Sequence, residues 1–414
     1  MEKSKKYWFY IEPYVYISLK EQEVLLLNTL DSSTEKSIDK EVIALISSIF
    51  EPKNCGVTLL NEQYLQSDKI IQFIKKTQEK YMGDIIEYQT IKQKPIQLLP
   101  YINIQNDIKP IKTNKNFVGD NLLNDLRELT LYINTKCKQS CQNCNSYYKQ
   151  FRHCNKYENK NIELKIDLIK KILDSTKTSP LSQINIIGGD ITRYNDLSLL
   201  IRMLKPYEEF LSYYIQYRNI LNIQHKALIS YKNKKQLFVC IDFPISELDI
   251  NSCINVAGKG CTFSFIVKDI KEYIYAQSII EKYSLDFYQI MPFFNNKNIT
   301  FFKNNVFINE SDIIEGITFE QIMLNKKINS NFWGNILVMP DGSVKSCINE
   351  SVIGNIKEQS ILELLNIEIN KSSSMWLKTR EEKPCCDCIY QHICPPLSNY
   401  EAIFNKTNLC NVIP

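Results

Sequence analysis

The feature that most constrains this chain is the placement of its cysteines. There are 14 of them against 3 histidines, and most gather at two places. Cys137, Cys141, Cys144 and Cys154 fall in one short segment. Cys385, Cys386, Cys388, Cys394 and Cys410 close the chain, and Cys347 stands apart. In a reducing compartment, thiols grouped in this way hold metal rather than form disulfides. The shortage of histidine disfavours His-rich zinc and non-haem iron sites. Cys55, Cys240, Cys253 and Cys261 belong to neither group and read as small buried hydrophobes.

The compartment follows from what the N-terminus lacks. Met1-Glu2-Lys3-Ser4-Lys5-Lys6 is basic, but Glu12 and Pro13 break the apolar stretch behind it, so no secretory signal is read. No run approaches the ~18 apolar residues of a membrane helix. A cytoplasmic protein without membrane contact is expected. Lys and Arg total 50 against 46 Asp and Glu, a net charge of +4, so nucleic acid is not an expected partner.

At 414 residues the chain has room for two to three domains of about 150 residues each. Residues 1–105 carry no cysteine pair. The runs Tyr14–Leu19 and Glu23–Asn28 read as a hairpin, and 57–60 as a short strand. The stretches 39–46 and 68–81 read as helices. Together they suggest a winged-helix-like α+β module. Prolines 95, 100 and 110 mark a linker near 92–120. From 120 to 310 strand and helix alternate. Strands are expected at 128–133, 183–187, 211–217, 237–241 and 287–291, and helices at 162–173, 197–204 and 270–283. Such alternation implies an α/β fold with a parallel sheet or barrel, and functional residues at the carboxyl ends of its strands. Residues 311–414 lose the alternation. They offer a strand–turn–strand over 333–347, a helix at 361–365 and a cysteine-rich end.

The Cys137-x3-Cys141-x2-Cys144 triplet directly follows the first strand of the alternating run. Three thiolates at this spacing suit a [4Fe-4S] cluster with one iron left open. The triplet resembles the signature of the radical S-adenosylmethionine (radical SAM) enzymes. Zinc with Cys154 as fourth ligand is the competing reading. Gly188-Gly189-Asp190 resembles the same family's GGE motif, which implies contact with the methionyl amine of S-adenosylmethionine. Asp242, at a fourth-strand end, stands where the family contacts the cofactor ribose. At the other end of the chain, Gly342-x4-Cys347, Gly354-Asn355-Ile356, Cys385-x2-Cys388-x5-Cys394 and Cys410 resemble the SPASM domain of peptide maturases. The resemblance implies a partial (β/α)6 barrel at 120–310 and an auxiliary-cluster domain at 311–414.

The pattern departs from the family at identifiable places. Asn143 replaces an aromatic residue, Asp190-Ile191 replaces Glu-Pro, and no arginine follows the fourth strand. In the auxiliary set, the cysteine expected at 326–332 is absent and Ser398 replaces another. The resemblance assigns Cys385, Cys388, Cys394 and Cys410 to one complete auxiliary [4Fe-4S] cluster; a structural zinc knuckle is the alternative. It leaves Cys347 and Cys386 outside any cluster.

What this implies is a radical SAM enzyme acting on a ribosomally made precursor peptide through a 5′-deoxyadenosyl radical. The peptide's leader would add to residues 1–105 as a strand, and an electron donor would supply reductant. Two other readings stay open. One is a degenerate relative that binds clusters and peptide as the partner of an active maturase. The other is a zinc-binding winged-helix regulator.

Overall fold

The structure is a computed structural model that describes residues 6–90, 93–97, 122–156, 161–221 and 234–412. The expected linker near 92–120 lies almost wholly outside them. The first segment holds β1 (Tyr7–Ile11), β2 (Val15–Leu19), β3 (Val24–Asn28), β4 (Thr34–Ser37), β5 (Val57–Leu60) and β6 (Gly83–Glu87). They form two antiparallel three-stranded sheets, in the orders β5-β1-β6 and β2-β3-β4. The expected hairpin is β2–β3, with Val15 opposite Asn28.

The unbroken apolar run of β3 has a cause in its surroundings. Period-two alternation sends Val24 and Leu26 into a core with Val42, Leu45, Ile46 and Ile49 of the helix Lys40–Phe50. Leu25 and Leu27 face the other way, into a core with Cys388, Ile389, Tyr390 and Ile393. Over Val24–Leu27 the strand is covered on both faces, and all four residues there are apolar. The helices start where the sequence places caps. Asp39 accepts from Glu41 N at 2.9 Å, and the Ser67 hydroxyl from Ile70 N at 3.4 Å to open Asp68–Glu79.

The second segment contains β7 (Glu128–Tyr132), β8 (Gln183–Ile187), β9 (Leu211–Gln216), β10 (Leu237–Asp242), β11 (Thr262–Val267) and β12 (Phe287–Pro292). Each is parallel to its sequence neighbour. The fold is therefore mixed α/β with a large parallel sheet, as the alternation predicts. Helices Ile166–Ser175, Leu197–Leu204, Glu247–Ala257 and Ile270–Tyr283 run between the strands. The helix expected from Ile162 begins at Ile166. Ile162 is taken by the loop after β7: its N–H donates to Thr135 Oγ1 at 2.9 Å and its carbonyl accepts from Thr135 N at 3.0 Å.

The third segment continues this sheet. β13 (Asn335–Val338) lies parallel to β7 on its open side, followed by antiparallel β14 (Ser343–Lys345) and β15 (Gly354–Asn355). The tight turn between β13 and β14 needs Gly342, whose φ is +90. Of the four cysteines read as buried hydrophobes, Cys240, Cys253 and Cys261 are buried, but Cys55 is exposed. It occupies a turn with φ +47 before β5, and no core lies over it.

Candidate functional site

Two sets of side chains stand out, one at the carboxyl ends of the parallel strands and one in the C-terminal loop. At the first, Cys137 and Cys141 lie on the loop leaving β7, and Cys144 opens the helix Cys144–Gln150. Gly188-Gly189-Asp190 follows β8, Tyr217-Arg218 follows β9, and Asp242 ends β10. Four neighbouring strands thus deliver them to one edge of the sheet. Arg218 Nη1 is 2.9 Å from Asp242 Oδ1 and 3.8 Å from Cys141 Sγ, and its guanidinium lies 4.5 Å from the Tyr217 ring centroid. Gln216 Nε2 donates to the same Asp242 oxygen at 2.7 Å. Burial pushes the Cys141 thiol up to about 11, with Asp242 adding to the rise and Arg218 opposing it. Cys137 is raised too, first by burial.

The sequence pattern places no arginine after the fourth strand, and Arg218 stands after the third, in the same cluster of side chains. The available signal was a basic residue just past Leu211–Tyr217.

The glycine pair has a structural reason that its resemblance does not reveal. A Cβ on Gly189 would stand 2.6 Å from the Lys136 carbonyl oxygen, and one on Gly188 2.9 Å from Asn134 Oδ1. The stem of the cysteine loop therefore lies directly against the end of β8. Gly189 N donates to the Asn134 carbonyl at 2.9 Å and Asp190 N to the Lys136 carbonyl at 2.6 Å. Asp190, expected to meet the methionyl amine, has its Oδ1 engaged otherwise. It accepts from Thr192 N at 3.1 Å and Thr192 Oγ1 at 2.6 Å, capping a short 3-10 turn. Gly189→Ala should force this stem apart. We expect a loss of about 1–3 kcal/mol of stability in thermal unfolding.

The C-terminal set closes round a small cavity. Cys385, Cys388, Cys394 and Cys410 all line it, together with Arg380 and the apolar side chains of Ile308, Ile313 and Leu409. Cys386 points elsewhere and lies 3.4 Å from Asp387 Oδ1. Cys347 is buried and donates to Asn399 Oδ1 at 3.4 Å. It lies on the wall of a different cavity, of about 600 Å3, along the inner face of the parallel sheet. Tyr132, Tyr148, Arg152, Tyr214, Met291, Ser398 and Tyr400 also border that space. Ser398 is the cap of the helix Asn399–Phe404 and exchanges bonds with Glu401, a role that suits serine better than cysteine.

Cys154, the fourth ligand of the zinc alternative, is buried and faces His153 Nδ1 at 3.3 Å. Burial pushes its thiol well up. Among the described residues, no three or more Cys, His, Asp or Glu close tightly enough to hold a single metal ion.

With this geometry in view, residues 330–389 match the family model described as SPASM, an iron-sulfur cluster-binding domain. The match bears out the resemblance to the radical SAM/SPASM peptide maturases through the C-terminal segment, and takes in Cys347, Cys385, Cys386 and Cys388. No curated protein matches the chain. Among solved structures, Streptococcus suis SuiB bound to S-adenosylmethionine shares 14% identity, covering 98% of this chain and 99% of that one, with a TM-score of 0.46. SuiB bound to the precursor peptide SuiA has the same values. SuiB determined alone gives 14% identity over 97% and 100% of the two chains and a TM-score of 0.48. No helix among the described residues is long and apolar enough to cross a membrane.

Proposed function

We propose that the chain is a radical SAM enzyme that modifies a ribosomally made precursor peptide. The observation that carries this reading is the gathering of Cys137, Cys141, Cys144, Arg218 and Asp242 at one edge of a parallel sheet, with a cavity of about 600 Å3 along its inner face. That volume lies in the range of small-ligand and side-chain pockets. On this reading residues 120–310 form the partial (β/α)6 barrel and 311–414 the auxiliary-cluster domain. Residues 1–105 form a winged-helix-like module that takes the peptide's leader, and an electron donor completes the partners.

The three loop thiolates would hold a [4Fe-4S] cluster, and Cys385, Cys388, Cys394 and Cys410 a second one. Bound together, the first cluster and S-adenosylmethionine supply a carbon radical able to take hydrogen from a peptide. The chain's own residues bind and orient. Gly188 and Gly189 fix the stem of the cysteine loop. Arg218 offers N–H groups to a carboxylate, and Asp242 offers an acceptor to a ribose hydroxyl. Tyr148 and Gln150 of the helix Cys144–Gln150, together with Tyr400, wall the cavity.

Metal content tests the donor sets directly. Purified anaerobically, the protein should carry about eight irons and matching acid-labile sulfide per chain, from two four-iron clusters. Stoichiometric zinc without sulfide would defeat the reading at both sites. Cys347→Ala should leave the iron content unchanged, whereas Cys394→Ala should remove about four irons. Equal losses from the two would show that Cys347 is a ligand.

One observation favours the degenerate-partner reading: one oxygen of the Asp190 carboxylate, Oδ1, is engaged by Thr192. The two readings part in one assay. Reduced, reconstituted protein is given S-adenosylmethionine with and without candidate peptide, and 5′-deoxyadenosine is measured. Release supports the enzyme; none supports the partner.

A further inference from the structure

Arg380 is an unusual residue to find where it is. It is 6% exposed, and it is the single charged side chain among the described residues lining the cavity of the four C-terminal thiols. Its Nε donates to the Pro395 carbonyl at 2.7 Å, and its Nη2 to Glu401 Oε1 at 2.9 Å. Its Nη1 donates to the Thr407 carbonyl at 2.5 Å and stands 3.9 Å from Cys385 Sγ. Glu401 is shared in turn: its Oε2 accepts from Ser398 N at 2.8 Å and Ser398 Oγ at 2.6 Å.

Burying a guanidinium is costly even when it is paired. The carbonyl contacts explain a need for N–H groups, which a neutral amide could meet in part. They do not explain a permanent positive charge beside a thiol. A cluster held by four thiolates gains one negative charge when it takes up an electron, and no bond is made or broken. A fixed cation about 4 Å from one of those sulfurs, in a small apolar cavity, favours the more negative state. Glu401 offsets this only partly, because it meets Arg380 at Nη2 and does not line the cavity, whereas Nη1 faces Cys385.

We propose that Arg380 is a positioning residue that raises the reduction potential of the auxiliary cluster, with Glu401 as the counter-charge that limits the rise. The proposal rests on the reading of Cys385, Cys388, Cys394 and Cys410 as cluster ligands. It assigns the buried pair a task that simple bracing of the loop would not require.

The test uses full-length protein carrying Cys137→Ala, Cys141→Ala and Cys144→Ala, so that one cluster signal remains. Its potential is followed by electron paramagnetic resonance in a dithionite titration with mediator dyes. Arg380→Gln should lower the reduced-to-oxidised ratio at a fixed potential by tenfold or more, a shift of about 59 mV to the negative side for one electron. Arg380→Lys should restore most of it. Glu401→Gln removes the counter-charge and should move the potential the other way. It keeps the proposal open to refutation if Arg380→Gln does not fold. Four irons retained with an unmoved potential, in either neutral variant, overturn the proposal alone. A background protein with no auxiliary iron and no labile sulfide overturns the ligand reading beneath it, and the proposal with it.

Discussion

Replacing Cys141 by alanine will remove about four irons per chain and all 5′-deoxyadenosine release, while about four irons remain in the C-terminal set. The expected effect is total rather than graded. Three thiolates are the least that can hold a cluster while leaving one iron open, so the loss of any one removes the site. Cys141 is the informative position because its sulfur lies 3.8 Å from Arg218 and within the influence of Asp242. The loss should therefore be local. Far-ultraviolet circular dichroism and the thermal transition should stay close to those of the unmodified protein, since the loop that carries Cys141 is part of no sheet. Retention of all the iron in Cys141→Ala would show that the loop holds no cluster.

Arg218→Met should weaken S-adenosylmethionine binding by roughly ten- to a hundredfold, the worth of one charge-assisted hydrogen bond of about 1.5–3 kcal/mol. The substitution keeps the length of the side chain and its cover over Tyr217, but removes the cation. It also leaves Asp242, 7% exposed, with the Gln216 amide still donating to it. Arg218→Lys should recover part of the affinity, since a point charge replaces the planar fork only imperfectly. Equilibrium binding to anaerobically reconstituted protein reads the effect without relying on turnover. An unchanged dissociation constant in Arg218→Met would take Arg218 out of the cofactor site and return the pocket to the incomplete form that the sequence suggests.

Much of the architecture is legible in the residues because it rests on local patterns. The runs 183–187 and 197–204 appear as read, since apolar alternation and helical spacing are short-range signals. The helix Glu247–Ala257 was not anticipated. Its buried face is the short stripe Ile250, Cys253, Ile254 and Ala257, with Asn251, Ser252 and Asn255 on the exposed side. Ile162 joined a predicted helix because its spacing fits. Its backbone belongs to the cysteine loop, and nothing within the helix could show that.

The cysteine spacings were determined by the sequence alone, because a cluster's ligands are a property of residue type and short separation along the chain. So was the parallel sheet, since alternating strand and helix patterns leave few other ways to bury both. The tertiary structure decided which groups meet. Arg218 follows one strand, Asp242 ends the next and Cys141 lies on a loop 77 residues away from Arg218, and no periodicity encodes their approach. Asp190 stands in its motif at the end of β8, and the fold also has its Oδ1 accept from Thr192 N and Thr192 Oγ1. The tertiary structure also set β2 and β3 against the cysteine-rich end, with Ser18 Oγ 2.6 Å from the Ile389 carbonyl and Lys20 Nζ 2.6 Å from that of Cys386. Contacts across more than 360 residues depend on how whole layers stack. Stacking is settled by the shape and area of apolar faces, which exist only once the chain has folded.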